Sequence, residues 1–234
     1  MEEKSKKETK AKEPKKEIGV KIVKVIVIII FILILLFAIN MLRNYCILRD
    51  IINKAQEYKG ITDYSYTVNS YVGTEENQRT YTQLTKKGDI SKVTIQSQTV
   101  NVIFWRDEKA NETLLIVPEE KRAIHYDSAT LIVQPSVYNF LQYEAMSEHI
   151  KILAATTFIY SDIVDGEECY AINQFHSTQW YSKQTGLKVK SKDGYSVENG
   201  NKMPSYTKYT NWQIGNITEE QVAKPDLTGY TIIK

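Results

Sequence analysis

Two cysteines are too few to build a disulfide framework in a chain of 234 residues, so a packed core has to hold the fold. Cys46 and Cys169 can form one bridge or remain two thiols, and the sequence leaves both open. Histidine is scarce as well. His125, His149 and His176 stand far apart, and none has a second His or Cys at metal-ligand spacing. Nucleophile-elbow, Walker, zinc-protease and dinucleotide-binding motifs are all missing. The pairs Glu119-Glu120 and Glu167-Glu168 lie beside turn signals, where solvated carboxylates are expected rather than a general acid and base. The expected reading is a non-enzymatic protein with no cofactor and no metal. No repeat of 20–50 residues is visible. The formal charge of +2 hides two opposite halves. Residues 1–24 hold nine Lys and five Glu, whereas the remainder is slightly acidic, so nothing points to a nucleic-acid partner.

One stretch is abundant in what the rest lacks. Val25 to Ile39 is fifteen residues without a polar side chain, and Asn40 interrupts it only once before Met41 and Leu42. At ~1.5 Å per residue, Val25–Leu42 spans roughly 27 Å as a helix, close to the ~30 Å hydrocarbon core of a bilayer. Lys21 and Lys24 can snorkel to the headgroups. A cleaved signal peptide would have a shorter apolar region and a small-x-small cleavage site, and neither is present. Glu2 closes the myristoylation route, and Arg43-Asn44-Tyr45-Cys46 lacks the small residues of lipoprotein processing. The expected order is a cytoplasmic, basic, disordered tail (1–19), one transmembrane helix (20–42) and an extracytoplasmic domain (43–234) in the cell membrane. The lysines of the tail set that orientation.

Beyond the span, Ile47, Leu48, Ile51, Ile52, Ala55 and Tyr58 recur at helical spacing up to Gly60. The period then becomes two. Strands are expected from Thr62 up to the turn at Gly73-Thr74, then at Arg79–Lys86, Ile90–Ser97, Thr99–Arg106, Thr113–Val117 and Arg122–Tyr126, forming an antiparallel meander. Residues 135–155 carry a bent helical pattern starting at Pro135-Ser136. Strands resume at Thr156–Val164, Glu168–Phe175, Thr178–Ser182 and Leu187–Ser191. A Gly- and Asn-rich loop from Asp193 to Pro204 precedes a last long strand, Ser205–Ile214. All 16 tyrosines follow the apolar run, mostly in strand-like segments. Phe104, Trp105, Trp180 and Trp212 either pack the core or line a cavity. Phe104 and Trp105 are neighbours, so only one of them can face inward.

Three segments resemble LolA-type lipoprotein carriers and their Gram-positive relatives: Glu112-Thr113-Leu114-Leu115-Ile116-Val117-Pro118-Glu119-Glu120-Lys121-Arg122-Ala123, then Trp180-Tyr181-Ser182-Lys183-Gln184-Thr185-Gly186-Leu187-Lys188-Val189-Lys190, and Lys224-Pro225-Asp226-Leu227-Thr228-Gly229-Tyr230. The resemblance implies an α+β fold: after the single transmembrane helix, an open antiparallel β-barrel, a strongly bent sheet, covered by helices around an apolar cavity. On that reading Tyr66, Phe104, Ile116 and Trp180 are the candidate lining, and Ile47–Tyr58 with Val137–Ala155 form the roof. The expected function is to bind a lipid or an acylated lipoprotein at the membrane. A protein-interaction or sensor domain with a filled core is the alternative, and no protein partner is named by the sequence.

Overall fold

A computed structural model describes residues 14–126, 154–174, 177–198 and 200–233, with backbone alone for 14–20 and 174. Residues 1–13 of the expected disordered tail, most of the segment 135–155, and both His149 and His176 lie outside the described residues; residues 14–19, expected in that tail, instead form the first turns of a helix.

A single helix, α1, runs from Pro14 to Gln56. Between Val25 and Ile39 it is apolar on every side, and the large apolar side chains from Ile22 to Ile39 are exposed. It is long and apolar enough to cross a membrane. From Asn44 onward its character changes. Asn44, Leu48, Ile51, Ile52 and Ala55 are buried at spacings of four, three and four, one stripe of a 3.6-residue helix. The amphipathic helix expected at Ile47–Tyr58 is therefore the end of the same rod. No break marks the expected border between residues 42 and 43. The chain leaves α1 through a turn in which the Tyr58 N–H donates to Ala55 O at 3.1 Å and Gly60 adopts φ +83°.

Among the described residues, twelve strands form one open sheet. They are β1 (Tyr64–Val72), β2 (Gln78–Lys87), β3 (Ile90–Ser97), β4 (Asn101–Asp107), β5 (Glu112–Val117), β6 (Arg122–Tyr126), β7 (Phe158–Val164), β8 (Glu167–Gln174), β9 (Ser177–Ser182), β10 (Lys188–Glu198), β11 (Asn201–Ile214) and β12 (Thr231–Ile233). Their spatial order is β12-β6-β5-β4-β3-β2-β1-β11-β10-β9-β8-β7. Among the described strands, only the β12–β6 pair is parallel. The meander β1–β6 follows the period-two pattern closely, because tight polar turns join its strands. The expected loop Asp193–Pro204 is instead the tip of the β10–β11 hairpin, paired out to Glu198↔Asn201. A register shift between Lys192 and Tyr195 absorbs Gly194 as an irregularity in that ladder.

The two faces of the sheet carry different cores. On the inner face, Leu48, Ile51, Ile52 and Ala55 of α1 cluster with Tyr64 and Tyr66 (β1), Leu84 (β2), Val93 (β3), Ile159 (β7), Ile172 (β8) and Tyr181 (β9). On the outer face, Trp105, Leu114, Ile116 and Ala123 pack beneath the C-terminal segment through Leu227 and Tyr230. A short helix, α2 (Glu219–Val222), is held by a reciprocal capping box between Thr218 and Gln221. The Val222 carbonyl accepts from Trp105 Nε1 at 2.9 Å.

Gly186 sits in the turn between β9 and β10 with φ +72°. A Cβ there would lie 2.8 Å from Ile51 O and 2.9 Å from Lys54 Cβ. The Thr185-Gly186-Leu187 turn is therefore where the sheet touches α1. Gly186→Ala should lower stability by more than ~1 kcal/mol, since it adds both a contact and a left-handed strain. Chemical denaturation of a chain beginning at Arg43 checks this. That chain should itself unfold cooperatively, and one beginning at Gly60, without the α1 stripe, should not.

Candidate functional site

Cross-strand register builds one continuous apolar band on the inner face. Tyr66 pairs with Leu84, Leu84 with Val93, Val93 with Phe104, Phe104 with Leu115, and Leu115 with Ile124. Directly opposed residues of antiparallel strands share a face, so six side chains form a single row across six strands. The end nearest α1 is closed: Tyr66, Leu84 and Val93 are buried. Phe104, Leu115 and Ile124 at the other end are only half-buried. A neighbouring row, Val68–Thr82–Ile95–Val102, continues the apolar surface on one side. On the other side the row Lys86–Ser91–Arg106–Thr113 is polar and bounds it.

Aromatic rings extend the band towards β11. Tyr64 stacks on Tyr66 with centroids 6.3 Å apart, and Tyr66 on Trp212 at 4.3 Å. Tyr209 lies 6.4 Å from Tyr66. Tyr209 and Trp212 have opposite parity, yet both join the inner cluster. The reason is a bulge opposite Tyr66, where the β1–β11 register shifts and Asn211 takes φ +56°. Burial pushes the Tyr66 and Tyr209 hydroxyls above the ordinary phenol range, with neighbouring tyrosines adding to the shift at Tyr66. Trp212 Nε1 is shut off from solvent with no hydrogen-bond partner among the described residues.

The far end of this wall is polar. Lys188 stands opposite Tyr181 with its Nζ 5.8 Å from the Tyr209 ring centroid. Desolvation holds its ammonium below the usual lysine range. Asp193 Oδ2 accepts from Ser191 Oγ at 2.8 Å and Thr207 Oγ1 at 3.1 Å.

Of the four candidate lining residues, the structure brings Tyr66 and Phe104 together on the inner face. Ile116 lies on the outer face under Leu227 and Tyr230, because it is one residue out of phase with Leu115. Trp180 also points outward. It packs with Cys169, Ala171 and Val189, donates from Nε1 to Asp162 Oδ2 at 2.8 Å, and has Lys190 Nζ 5.6 Å from its ring centroid. Phe104 is the inward member of its pair and Trp105 the outward one. The residues that sequence reasoning passes over are Lys188 and Tyr209. A helix–sheet contact and a bulge place them, and neither has a signature in the period-two pattern.

Other chemistry is sparse. Cys46 and Cys169 are both free; burial, with Glu167 nearby, pushes the Cys169 thiol up to about 11. Among the described residues, no group of three or more His, Cys, Asp or Glu side chains is gathered where a metal ion could sit.

No protein-family model matches the sequence, and no curated protein matches it. Several solved structures align with most of the chain at low identity. An uncharacterized conserved protein from Thermus thermophilus aligns at 9% identity over 79% of this chain and 97% of its own, with a TM-score of 0.46. A DUF1329 family protein from Desulfovibrio piger aligns at 12% identity over 79% and 97%, with a TM-score of 0.28. A putative outer membrane lipoprotein-sorting protein domain from Vibrio parahaemolyticus aligns at 11% identity over 74% and 94%, with a TM-score of 0.27.

Proposed function

We propose that this is a non-enzymatic, membrane-anchored protein whose extracytoplasmic β domain holds the acyl chains of a lipid or lipoprotein against its inner face. The observation that carries the reading is the continuity of α1. The helix with an exposed, bilayer-length apolar part is also the helix whose next turns pack on the apolar band. From Leu42 to Leu48 is about 9 Å along the helix, so the band begins close to the lipid headgroups. The basic flank before the apolar part of α1 keeps the N-terminus in the cytoplasm and the sheet outside.

The mechanism is transfer of acyl methylenes from one apolar surface to another. Each buried CH₂ is worth about 0.8 kcal/mol, so a chain leaving the bilayer loses little if Phe104, Leu115 and Ile124 receive it. The part of the face filled by α1 has no room for a tail, since Leu48 and Ile51 are fully buried there. The ligand would lie over β3–β6, with Tyr66 and Phe104 at the inner limit. That filled part is also the observation favouring the second reading, an interaction or sensor domain with a solid core.

Lipid extraction and mass spectrometry of the chain from Arg43 onward, expressed in a membrane-containing host, tests the proposal. Acyl lipid should be found at near one equivalent. Phe104→Asp should reduce it to background, because a charge on an apolar surface repels a tail, while leaving the delipidated melting temperature within a few degrees. Ile116→Ala, on the outer face, should lose about 2–5 kcal/mol of stability equally with and without lipid. An unliganded wild-type domain would favour the interaction reading.

A further inference from the structure

We infer that the tip of the β10–β11 hairpin is a second membrane contact. It seats Tyr195 and Val197 at the headgroup level of the bilayer that α1 crosses, and sets Lys192 and Lys202 against the phosphates of anionic lipids. This rests on the anchoring part of the proposed function and is independent of whether an acyl chain lies on the inner face.

Strand direction places the tip. The β9–β10 turn lies against the end of α1, where a Cβ on Gly186 would meet Ile51 O and Lys54 Nζ donates to Lys183 O. The start of β7 lies against the other end of the packed stretch, where Arg43 Nη1 donates to Ile159 O at 3.4 Å. The pairs Phe158↔Asn173, Asn173↔Thr178 and Thr178↔Lys192 bring Lys192 to that same level. β10 therefore runs back along α1 towards its apolar part, and it does not stop at Lys192. The ladder with β11 continues to Glu198↔Asn201. At ~3.3 Å per residue, with one residue taken up by the bulge, roughly 17 Å more of hairpin extends to the bilayer side of Arg43.

The side chains carried there suit an interface. Tyr195 pairs with Pro204 and Val197 with Lys202, so both share the face of Lys192 and Tyr206. Val197 is 75% exposed and Tyr195 48%. Tyrosine is favoured at membrane interfaces, with its ring among lipid and its hydroxyl in water. Lys192 Nζ and Lys202 Nζ lie 4.8 and 4.6 Å from the Tyr195 ring centroid, so two ammoniums gather about one ring. Neither lysine makes an ion pair among the described residues, whereas Lys208, farther from the tip on the same face, is matched by Glu75 and Asp165 at 2.9 and 2.6 Å. The carboxylates of the hairpin are engaged elsewhere. Glu198 is held by Arg79 and by Asn77 Nδ2 at 2.9 Å, and Asp193 by the hydroxyls of Ser191 and Thr207. The β1–β2 turn braces the hairpin: the Gly73 N–H donates to Pro204 O at 2.8 Å, and Met203 packs directly over Gly73. A small contact suffices, because α1 already holds the hairpin beside the membrane at high effective concentration.

The test uses the full chain in a Cys46→Ser background, which leaves the buried Cys169 as its native thiol. Asn201→Cys at the tip, or Ala110→Cys in the β4–β5 turn at the opposite end of the sheet, carries an NBD fluorophore. The chain is reconstituted into phosphatidylcholine vesicles that contain a headgroup-nitroxide lipid, with or without phosphatidylglycerol. The nitroxide should quench NBD at 201 and spare it at 110, and phosphatidylglycerol should deepen the quenching at 201 alone. Each lysine shifts docking on an anionic surface about fivefold. Lys192→Gln with Lys202→Gln should therefore abolish the response to phosphatidylglycerol, and Lys192→Arg with Lys202→Arg should keep it. Equal, weak quenching at 201 and 110 would leave the tip in water and overturn the contact. Quenching at 201 that ignores phosphatidylglycerol, or a response that persists in the Gln pair, would overturn the anionic-lipid assignment. A blue-shifted but unquenched probe at 201 would mean a tip buried against protein, a second copy included, and overturn the inference as well. A chain that fails to float with the vesicles would remove the anchor itself, and the proposed function with it.

Discussion

The structure depends on the packing of the last three turns of α1 against the inner face of the sheet. Leu48 and Ile51 are fully buried there, and Gly186 exists as glycine because the helix backbone passes too close for a Cβ. Asn44 adds a polar clamp at the start of this contact. Its Nδ2 donates to Ala154 O at 3.1 Å and to Thr157 O at 3.0 Å, fixing the entry into β7. The contact joins both halves of the sheet through a single rod. It also removes any flexible linker between the apolar helix and the domain, so the orientation of the inner face follows the orientation of α1.

Much of this is legible in the sequence because it rests on local periodicity. The apolar run, the α1 stripe and the six-strand meander all follow from hydrophobic spacing and turn chemistry. What fails to show is anything set by register or by contact between distant segments. Ile116 and Leu115 are equally plausible inward residues on paper, and only the pairing Phe104↔Leu115 decides between them. Trp180 looks like a cavity residue until its indole is seen bonded to Asp162 on the outer side. The bulge at Asn211 reverses parity within one strand, so it hides the Tyr209–Trp212 pair from any period-two count. The β10–β11 hairpin reads as a loop because Gly194, Asn199, Gly200 and Asn201 are turn formers, yet pairing with a neighbour outweighs that composition.

The two faces divide the labour. The outer face is closed by the protein's own C-terminal segment, with Trp105 and Val222 hydrogen-bonded across it. The cluster that α1 enters takes in residues of β1–β3, β7–β9 and β11, and the apolar band continues beyond it to Leu115 and Ile124. On the proposed reading, a sheet anchored by α1 with one sealed and one partly open apolar face would take its hydrocarbon ligand from the adjacent bilayer.

The most direct measurement places a photo-crosslinking benzophenone amino acid at position 104 or at position 116 of the full chain, irradiates intact membranes, and identifies adducts by mass spectrometry. Acyl-lipid adducts are expected at 104 and none at 116. Adducts at neither position, or at both to the same extent, would contradict an acyl chain held on the inner face.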